Sequence, residues 1–148
     1  MTQLNLLIVD DNPDDAWLVS YAVKRAGYAI EWRRVDDEPG FALEIGAADL
    51  VICDFSMPRF SPVRALEMIR EHGLVTPLLL VSGTVSADVA AQILRLGAIG
   101  YVLKDQLDKL PPIIATALAT RSIEPSRRTS PIPILDRGYG TDSARTRR

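Results

Sequence analysis

The sequence is poor in the residues that form covalent cross-links and soft-metal sites. One cysteine, Cys53, and one histidine, His72, exclude a disulfide within this chain and any cysteine- or histidine-cluster metal site. No apolar stretch approaches the roughly 20 residues that a membrane-spanning helix needs. The first residues, MTQLNLLIVDD, lack the basic region and cleavage site of a signal peptide. We therefore expect a cytoplasmic protein without membrane association.

The chain does contain enough apolar sequence for one domain. Hydrophobic residues make up 47% and charged residues 24% of its 148 residues, which is a globular composition. Residues 122–148 differ, because they are rich in Pro, Gly, Ser, Thr and Arg. We predict a folded domain over residues 1–121 and a disordered basic tail over residues 122–148. Because no series of aromatic residues interleaves with the tail's arginines, we favour a solvated tail over contact with nucleic acid.

Short apolar runs alternate with amphipathic stretches from residue 4 to about residue 121. This pattern is typical of repeated strand–helix units around a parallel sheet, and it predicts an α/β fold with five strands and five helices. The predicted strands cover residues 4–9, 29–35, 49–53, 77–81 and 99–103. Five helices are predicted. The first runs from Asn12-Pro13 to Gly27, and the second is a short helix that follows DDEPG and ends near Gly46. The third runs from Ser61-Pro62 to Gly73, the fourth covers residues 86–96, and the fifth covers roughly residues 112–121. Pro111 and Pro112 predict a frayed first turn for the last helix.

Polar residues end four of the five apolar runs, namely Asp10 with Asp11, Asp54, Ser82 and Lys104. Because the carboxyl ends of parallel strands share one edge of a sheet, these residues are expected to meet. Three carboxylates gathered there repel one another and require a hard cation, for which Mg²⁺ is the natural candidate. Aspartate can form an acyl phosphate while a metal and a lysine neutralise the transferring group. The residues therefore predict a Mg²⁺-dependent phosphoryl site, in which Lys104 and Ser82 contact phosphate oxygens.

These residues resemble the receiver domains of two-component response regulators. The resemblance covers residues 4 to about 121 and rests on the pair Asp10-Asp11, Asp54 in DFSMP, Ser82 in VSGT, and Tyr101 with Lys104 in GYVLKD. It implies a doubly wound, five-stranded parallel sheet of flavodoxin-like order 2-1-3-4-5 with helices on both faces. It also implies a signalling protein that assists its own phosphoryl transfer and autodephosphorylation, and is not otherwise an enzyme.

Carried over by position, the resemblance implies that Asp54 is the phosphoacceptor. It implies that Asp11 binds Mg²⁺ directly, that Asp10 acts nearby through water, and that Asp54 and the backbone carbonyl of Ser56 are further ligands. No other cofactor is implied. The metal set implied for this chain is therefore Asp10, Asp11, Asp54 and Ser56.

The resemblance also implies a conformational switch around the phosphoryl group. Ser82 would move its hydroxyl toward that group, Tyr101 would rotate inward, and Lys104 would complete the site. The chain departs from the family after the lysine, where Asp105 replaces the common proline. We expect a trans peptide bond there, and Asp105 could pair with Lys104 in the resting state and compete with phosphate.

A histidine kinase or histidine phosphotransfer protein is the phosphoryl donor that the resemblance implies. The residues after 121 are too few and too polar for a folded output domain, so we expect either a stand-alone regulator or a receiver excised from a larger protein. In either case we expect output by protein contact with a target that the sequence does not identify. Receivers commonly signal through the fourth helix, fifth strand and fifth helix, here residues 86–121, and a homodimer could form through the same surface.

Three alternatives stand beside this interpretation. A degenerate receiver that binds partners without phosphorylation would be expected to lack the acidic pair, Asp54 or Lys104, and all are present. A flavin- or nucleotide-binding module would need a Gly-rich turn after the first strand, which the sequence does not have. A hydrolase with Asp54 as nucleophile would need a second carboxylate two residues on, where Ser56 stands. We keep the degenerate receiver as the main alternative.

Overall fold

The computed structural model describes residues 3–83 and 86–123, in which strands and helices alternate as predicted. The strands are β1 (Gln3–Val9), β2 (Ala29–Val35), β3 (Leu50–Asp54), β4 (Leu78–Ser82) and β5 (Gly100–Leu103). The helices are α1 (Pro13–Arg25), α2 (Glu38–Glu44), α3 (Pro62–Glu71), α4 (Ala87–Arg95) and α5 (Leu110–Ile123). Single 3₁₀ turns, Ile45–Ala47 and Leu107–Lys109, precede β3 and α5.

The five strands form one parallel sheet in the order β2-β1-β3-β4-β5. This order confirms the predicted doubly wound, flavodoxin-like arrangement. The chain reverses its direction of winding between β1 and β3, and in such sheets ligands bind outside the carboxyl ends of the strands at that reversal. Val9 lies opposite Cys53, so the residues that follow β1 lie beside the end of β3.

Both faces of the central strands are buried, and alternate residues point to opposite faces. One face packs against α2, α3 and α4 through a hydrophobic cluster that includes Val9, Phe41, Val51, Leu66, Leu80 and Ile93. The alternate positions Leu6, Ile8, Leu50, Ile52, Leu79 and Val81 are equally buried. On α1, which packs beside β1 and β2, the buried residues include Ala16, Val19 and Val23. Each fully buried side chain of this kind stabilises the fold by about 1.5–3 kcal/mol, so the sheet is a rigid base for its edge residues.

Side-chain caps determine where the helices begin. The Asn12 side chain accepts hydrogen bonds from the backbone N–H groups of Asp14 and Asp15, and Pro13 takes the first helical position. This cap starts α1 directly after β1, so that the first turn of α1 lies at the carboxyl edge of the sheet. Ser61 caps α3 in the same way by accepting from the N–H of Arg64.

The start of α5 differs from the prediction, which placed its main body at about residues 112–121. The helix begins at Leu110 and includes Pro111 and Pro112 in its first turn. The first N–H groups of a helix have no intrahelical acceptor, so proline costs no hydrogen bond there. The 3₁₀ turn Leu107–Lys109 leads the chain into this first turn.

The chain divides into two units, residues 1–114 and residues 115–148. The first contains the whole sheet, α1 to α4 and the beginning of α5. In the second, the structure describes residues 115–123, which are helical. The predicted disordered tail lies outside the described residues from position 124 onward, so its disorder stays a prediction. Within the described ranges, no helix is both long and apolar enough to cross a membrane.

Candidate functional site

Three strand ends bring distant residues together at the carboxyl edge of the sheet. Asp10 directly follows β1, Asp54 is the last residue of β3, and Lys104 directly follows β5. Backbone hydrogen bonds extend the sheet by one residue at two of these ends, because the Asp10 N–H donates to the Val35 carbonyl (3.0 Å) and the Lys104 N–H donates to the Ser82 carbonyl (2.8 Å). The positions of Asp10 and Lys104 are therefore determined by the sheet and not by a loose loop.

Three carboxylates form an acidic cluster, Asp10, Asp11 and Asp54. One oxygen of each lies within 4.8 Å of the others. Asp10 and Asp54 are buried, at 2% and 6% exposure, whereas Asp11 is exposed. The Asn12 N–H donates to Asp10 Oδ1 at 2.9 Å and so orients that carboxylate. Carboxylate oxygens in this number and spacing suit a hard cation such as Mg²⁺.

Lys104 lies against the acidic cluster and carries the positive charge of the site. Its Nζ is 3.4 Å from Asp54 Oδ1, 3.2 Å from Asp10 Oδ2 and 2.7 Å from Asp15 Oδ2. Asp105, which could have paired with Lys104 in the resting state, does not do so: its side chain is exposed, and among the described residues the ion pairs of Lys104 are with Asp10, Asp15 and Asp54. No described peptide bond is cis, in agreement with the expectation for Lys104-Asp105.

Burial and neighbouring charges shift the protonation of this site. Burial raises the pKa of the Asp54 carboxyl above its usual value, while the Lys104 charge opposes that rise and the Asp10 charge adds to it. For Lys104, burial works against the charged form, but the hydrogen bond to Asp15 and the charges of Asp54 and Asp10 hold its pKa above the ordinary value. Lys104 is therefore a permanent cation.

Of the other predicted residues, Ser82 and Ser56 lie at this edge, and Tyr101 lies two residues before the end of β5. Ser82 is the last residue of β4 and is completely buried. The backbone N–H of Ser56, in the loop after β3, hydrogen-bonds to the Asp54 carboxylate. Tyr101, in β5, is 37% exposed. The metal-ligand role of the Ser56 carbonyl and the switch roles of Ser82 and Tyr101 stay predictions.

Two contacts of the site were not predicted from the sequence. Asp15, in the first turn of α1, makes the shortest contact to Lys104. Arg34 Nη1 donates to the Asp10 backbone carbonyl at 3.2 Å. A signal for Asp15 existed, because it lies four residues after Asp11 in a helix that starts at the carboxyl edge. Arg34 offered no comparable signal, since β2 carries two consecutive arginines.

Comparison with known proteins agrees with this geometry. Residues 6–115 match the family described as the response regulator receiver domain. The regulatory protein AtoC of Escherichia coli is 32% identical over 84% of this chain, and the response regulator protein PilR of Pseudomonas aeruginosa is 30% identical over 84%. A response regulator receiver domain protein from Clostridium thermocellum has a similar structure, with a TM-score of 0.70 at 20% identity, covering 82% of this chain and 98% of that one.

The match to the two regulators is confined to one part of them. The chain covers 27% of the length of AtoC and 28% of the length of PilR, so the similarity does not assign the functions of those whole proteins to this chain. The similarity of the Clostridium thermocellum structure concerns the fold. The family match, by contrast, extends over most of the chain and includes every residue of the acidic cluster and Lys104. This chain belongs to the response regulator receiver domain family.

Proposed function

We propose that this chain is a phosphorylation-dependent switch that accepts a phosphoryl group on Asp54 with the help of Mg²⁺. The observation that carries the proposal is the position of Asp54 between opposite charges. Lys104 Nζ lies 3.4 Å from its Oδ1, and the oxygens of Asp10 and Asp11 lie within 4.8 Å of its carboxylate. A nucleophile, a cation for the phosphoryl oxygens and an oxygen-rich cation site thus occur together.

The donor in this proposal is a phosphorylated histidine of a kinase or phosphotransfer protein, as membership of the receiver family suggests. A carboxylate oxygen of Asp54 forms the new bond to phosphorus, and the bond from phosphorus to the donor imidazole nitrogen breaks. Lys104 pairs with a phosphoryl oxygen, and the Ser56 N–H orients the Asp54 carboxylate. Asp10 and Asp11, with Asp54 and the Ser56 carbonyl as further oxygens, would hold Mg²⁺, which when bound neutralises the carboxylates and the phosphoryl oxygens.

The proposed output is protein contact after a change at Ser82 and Tyr101. Ser82 is buried at the end of β4, one strand from Asp54, and this placement supports the proposal that its hydroxyl donates to the phosphoryl group. Exposed apolar side chains on α4, on β5 and in the segment between them support residues 86–121 as the contact surface for a target or for a second copy of the chain: Leu94, Leu96, Ile99 and Tyr101. A cytoplasmic location remains a prediction from the sequence.

The test is phosphorylation by a small donor. We expect the wild type to gain one phosphoryl mass when incubated with acetyl phosphate and Mg²⁺, as measured by intact mass spectrometry. Asp54→Asn should gain none, and omission of Mg²⁺ with added chelator should abolish the gain. Asp105→Asn is a matched control, because it removes an exposed carboxylate beside Lys104 that makes no ion pair with it.

Two outcomes would contradict the proposal. A folded wild type that gains no mass and binds no fluoroberyllate in Mg²⁺ would favour a degenerate receiver that binds partners without phosphorylation. Equal labelling of the wild type and Asp54→Asn would place the phosphoryl group on another residue.

A further inference from the structure

Lys104 is held closer to α1 than to the phosphoacceptor. Its Nζ is 2.7 Å from Asp15 Oδ2, within the usual range of about 2.7–2.9 Å for a charge-assisted hydrogen bond. The distance to Asp54 Oδ1 is 3.4 Å, which is too long for a contact of that strength. The resting ammonium therefore makes its best contact with a carboxylate outside the acidic cluster.

The balance of charge in the site makes Asp15 a competitor of the phosphoryl group for Lys104, and not only a residue that holds Lys104 in place. Lys104 is one cation beside the carboxylates of Asp10, Asp15 and Asp54. An ammonium has three N–H donors, so a phosphoryl group on Asp54 can gain one only if an existing contact lengthens or breaks. A phosphoryl group also brings more negative charge into the site, which the Asp15 carboxylate repels.

We infer that Asp15 is a positioning residue that holds Lys104 in the resting state and competes with the phosphoryl group for it. The charge on Asp15 thereby weakens the affinity of the site for a phosphoryl group. This inference rests on the proposed function, because it concerns the group that Asp54 accepts. Asp15 reaches this position because the Asn12 cap starts α1 at the carboxyl edge of the sheet.

A simpler explanation is that Asp15 only stabilises α1. Acidic side chains in the first turn of a helix interact favourably with its positive end, and both Asp14 and Asp15 occupy that turn. Asp14 makes no ion pair among the described residues, whereas Asp15 pairs with Lys104. Asp14→Asn is therefore a matched control that removes the same charge from the same turn without touching Lys104.

The test is the affinity for fluoroberyllate, a phosphoryl mimic, measured by isothermal titration of the full chain at constant excess Mg²⁺. A partly exposed ion pair contributes up to about 1 kcal/mol, so Asp15→Asn should bind about three- to fivefold more tightly than the wild type. Asp14→Asn should remain within about twofold. Asp15→Glu keeps the charge and should also bind as the wild type does. Thermal melting of each variant checks that it is folded.

The outcomes separate this inference from the proposed function. If the wild type binds fluoroberyllate but Asp15→Asn binds equally or more weakly, the phosphoacceptor function stands and the competition by Asp15 is wrong. An equal gain in Asp14→Asn or Asp15→Glu would also overturn the inference, because neither variant removes the charge that contacts Lys104. If the folded wild type binds no fluoroberyllate, the proposed function fails and the role of Asp15 falls with it.

Discussion

Without a bound cation, the Asp54 carboxylate should destabilise the fold that contains it. The Asp54 side chain is 94% buried. It shares the sheet edge with Asp10 and Asp11, and one carboxylate oxygen of each lies within 4.8 Å of an Asp54 carboxylate oxygen. Among the described residues, Lys104 offsets most of this repulsion, and the Ser56 backbone N–H adds a hydrogen bond to the Asp54 carboxylate. We predict that Asp54→Asn, which keeps the shape and one oxygen acceptor but removes the charge, stabilises the chain in the absence of divalent cations.

The magnitude follows from the distances. At an effective dielectric constant of about 20, each neighbouring carboxylate within 4.8 Å repels Asp54 by at least about 3.5 kcal/mol. At the same dielectric constant, Lys104 attracts it by about 5 kcal/mol across 3.4 Å. Solvent around the exposed Asp11 weakens the repulsion between Asp11 and Asp54, while the burial of Asp54 adds a desolvation penalty to its charged form. We therefore expect a net gain of about 1–2 kcal/mol, or about 4–8 °C in melting temperature.

Thermal unfolding followed by circular dichroism, in buffer with a chelator, measures this gain. Added Mg²⁺ should stabilise the wild type more than Asp54→Asn, because the variant has lost one cation ligand. Asp105→Asn, an exposed change beside Lys104, should alter the melting temperature little in either buffer. If Asp54→Asn melts below the wild type in chelator, the attraction to Lys104 outweighs the repulsion and the reasoning is refuted.

The pH dependence has a definite sign. The folded-state pKa of Asp54 is raised, so between its ordinary value of 3.8 and the raised value the folded chain binds more protons than the unfolded chain. The contribution of this group to stability is therefore present at low pH and is lost as pH rises through the raised pKa. The advantage of Asp54→Asn should be largest at neutral pH and shrink on acidification, and an advantage that grows on acidification would contradict the shift.

Other substitutions test neighbouring parts of the structure. Lys104→Ala should lower the unfolding free energy in chelator by about 2–3 kcal/mol, because three carboxylates lose their common cation, and denaturant unfolding measures this. Gly73→Ala should cost about 1–2 kcal/mol, because Gly73 follows the C-cap residue of α3 and has a φ of +71°. Gly46→Ala, at a position with ordinary φ and open space around an added Cβ, should cost less than about 0.5 kcal/mol. Equal effects of the two glycine changes would contradict the backbone explanation.

The fold and most of the site could be predicted because both depend on strand ends. Buried strands are recognisable as short apolar runs, and in a parallel sheet all their carboxyl ends share one edge. The strand order that the family resemblance implied then placed β1 beside β3, and so Asp10 beside Asp54. The start of α5 was harder, because Pro111 and Pro112 break a helix interior but not its first turn, and sequence alone does not decide which applies.

Asp15 was missed as a partner of Lys104 for a different reason. Adjacency in the sequence is a poor guide in the turn after β5, where Asp105 follows Lys104 and yet is exposed and makes no ion pair with it. Asp15 is 89 positions away and makes the shortest contact. The three carboxylate distances from Nζ differ by less than 1 Å, and only tertiary placement of α1 decides among them. Because a long, flexible side chain can adopt any of these close alternatives, we expect the phosphoryl group proposed for Asp54 to change which carboxylate Lys104 contacts. If Asp54 is phosphorylated as proposed, the two states should therefore differ in the placement of Lys104 and not in the acidic cluster alone.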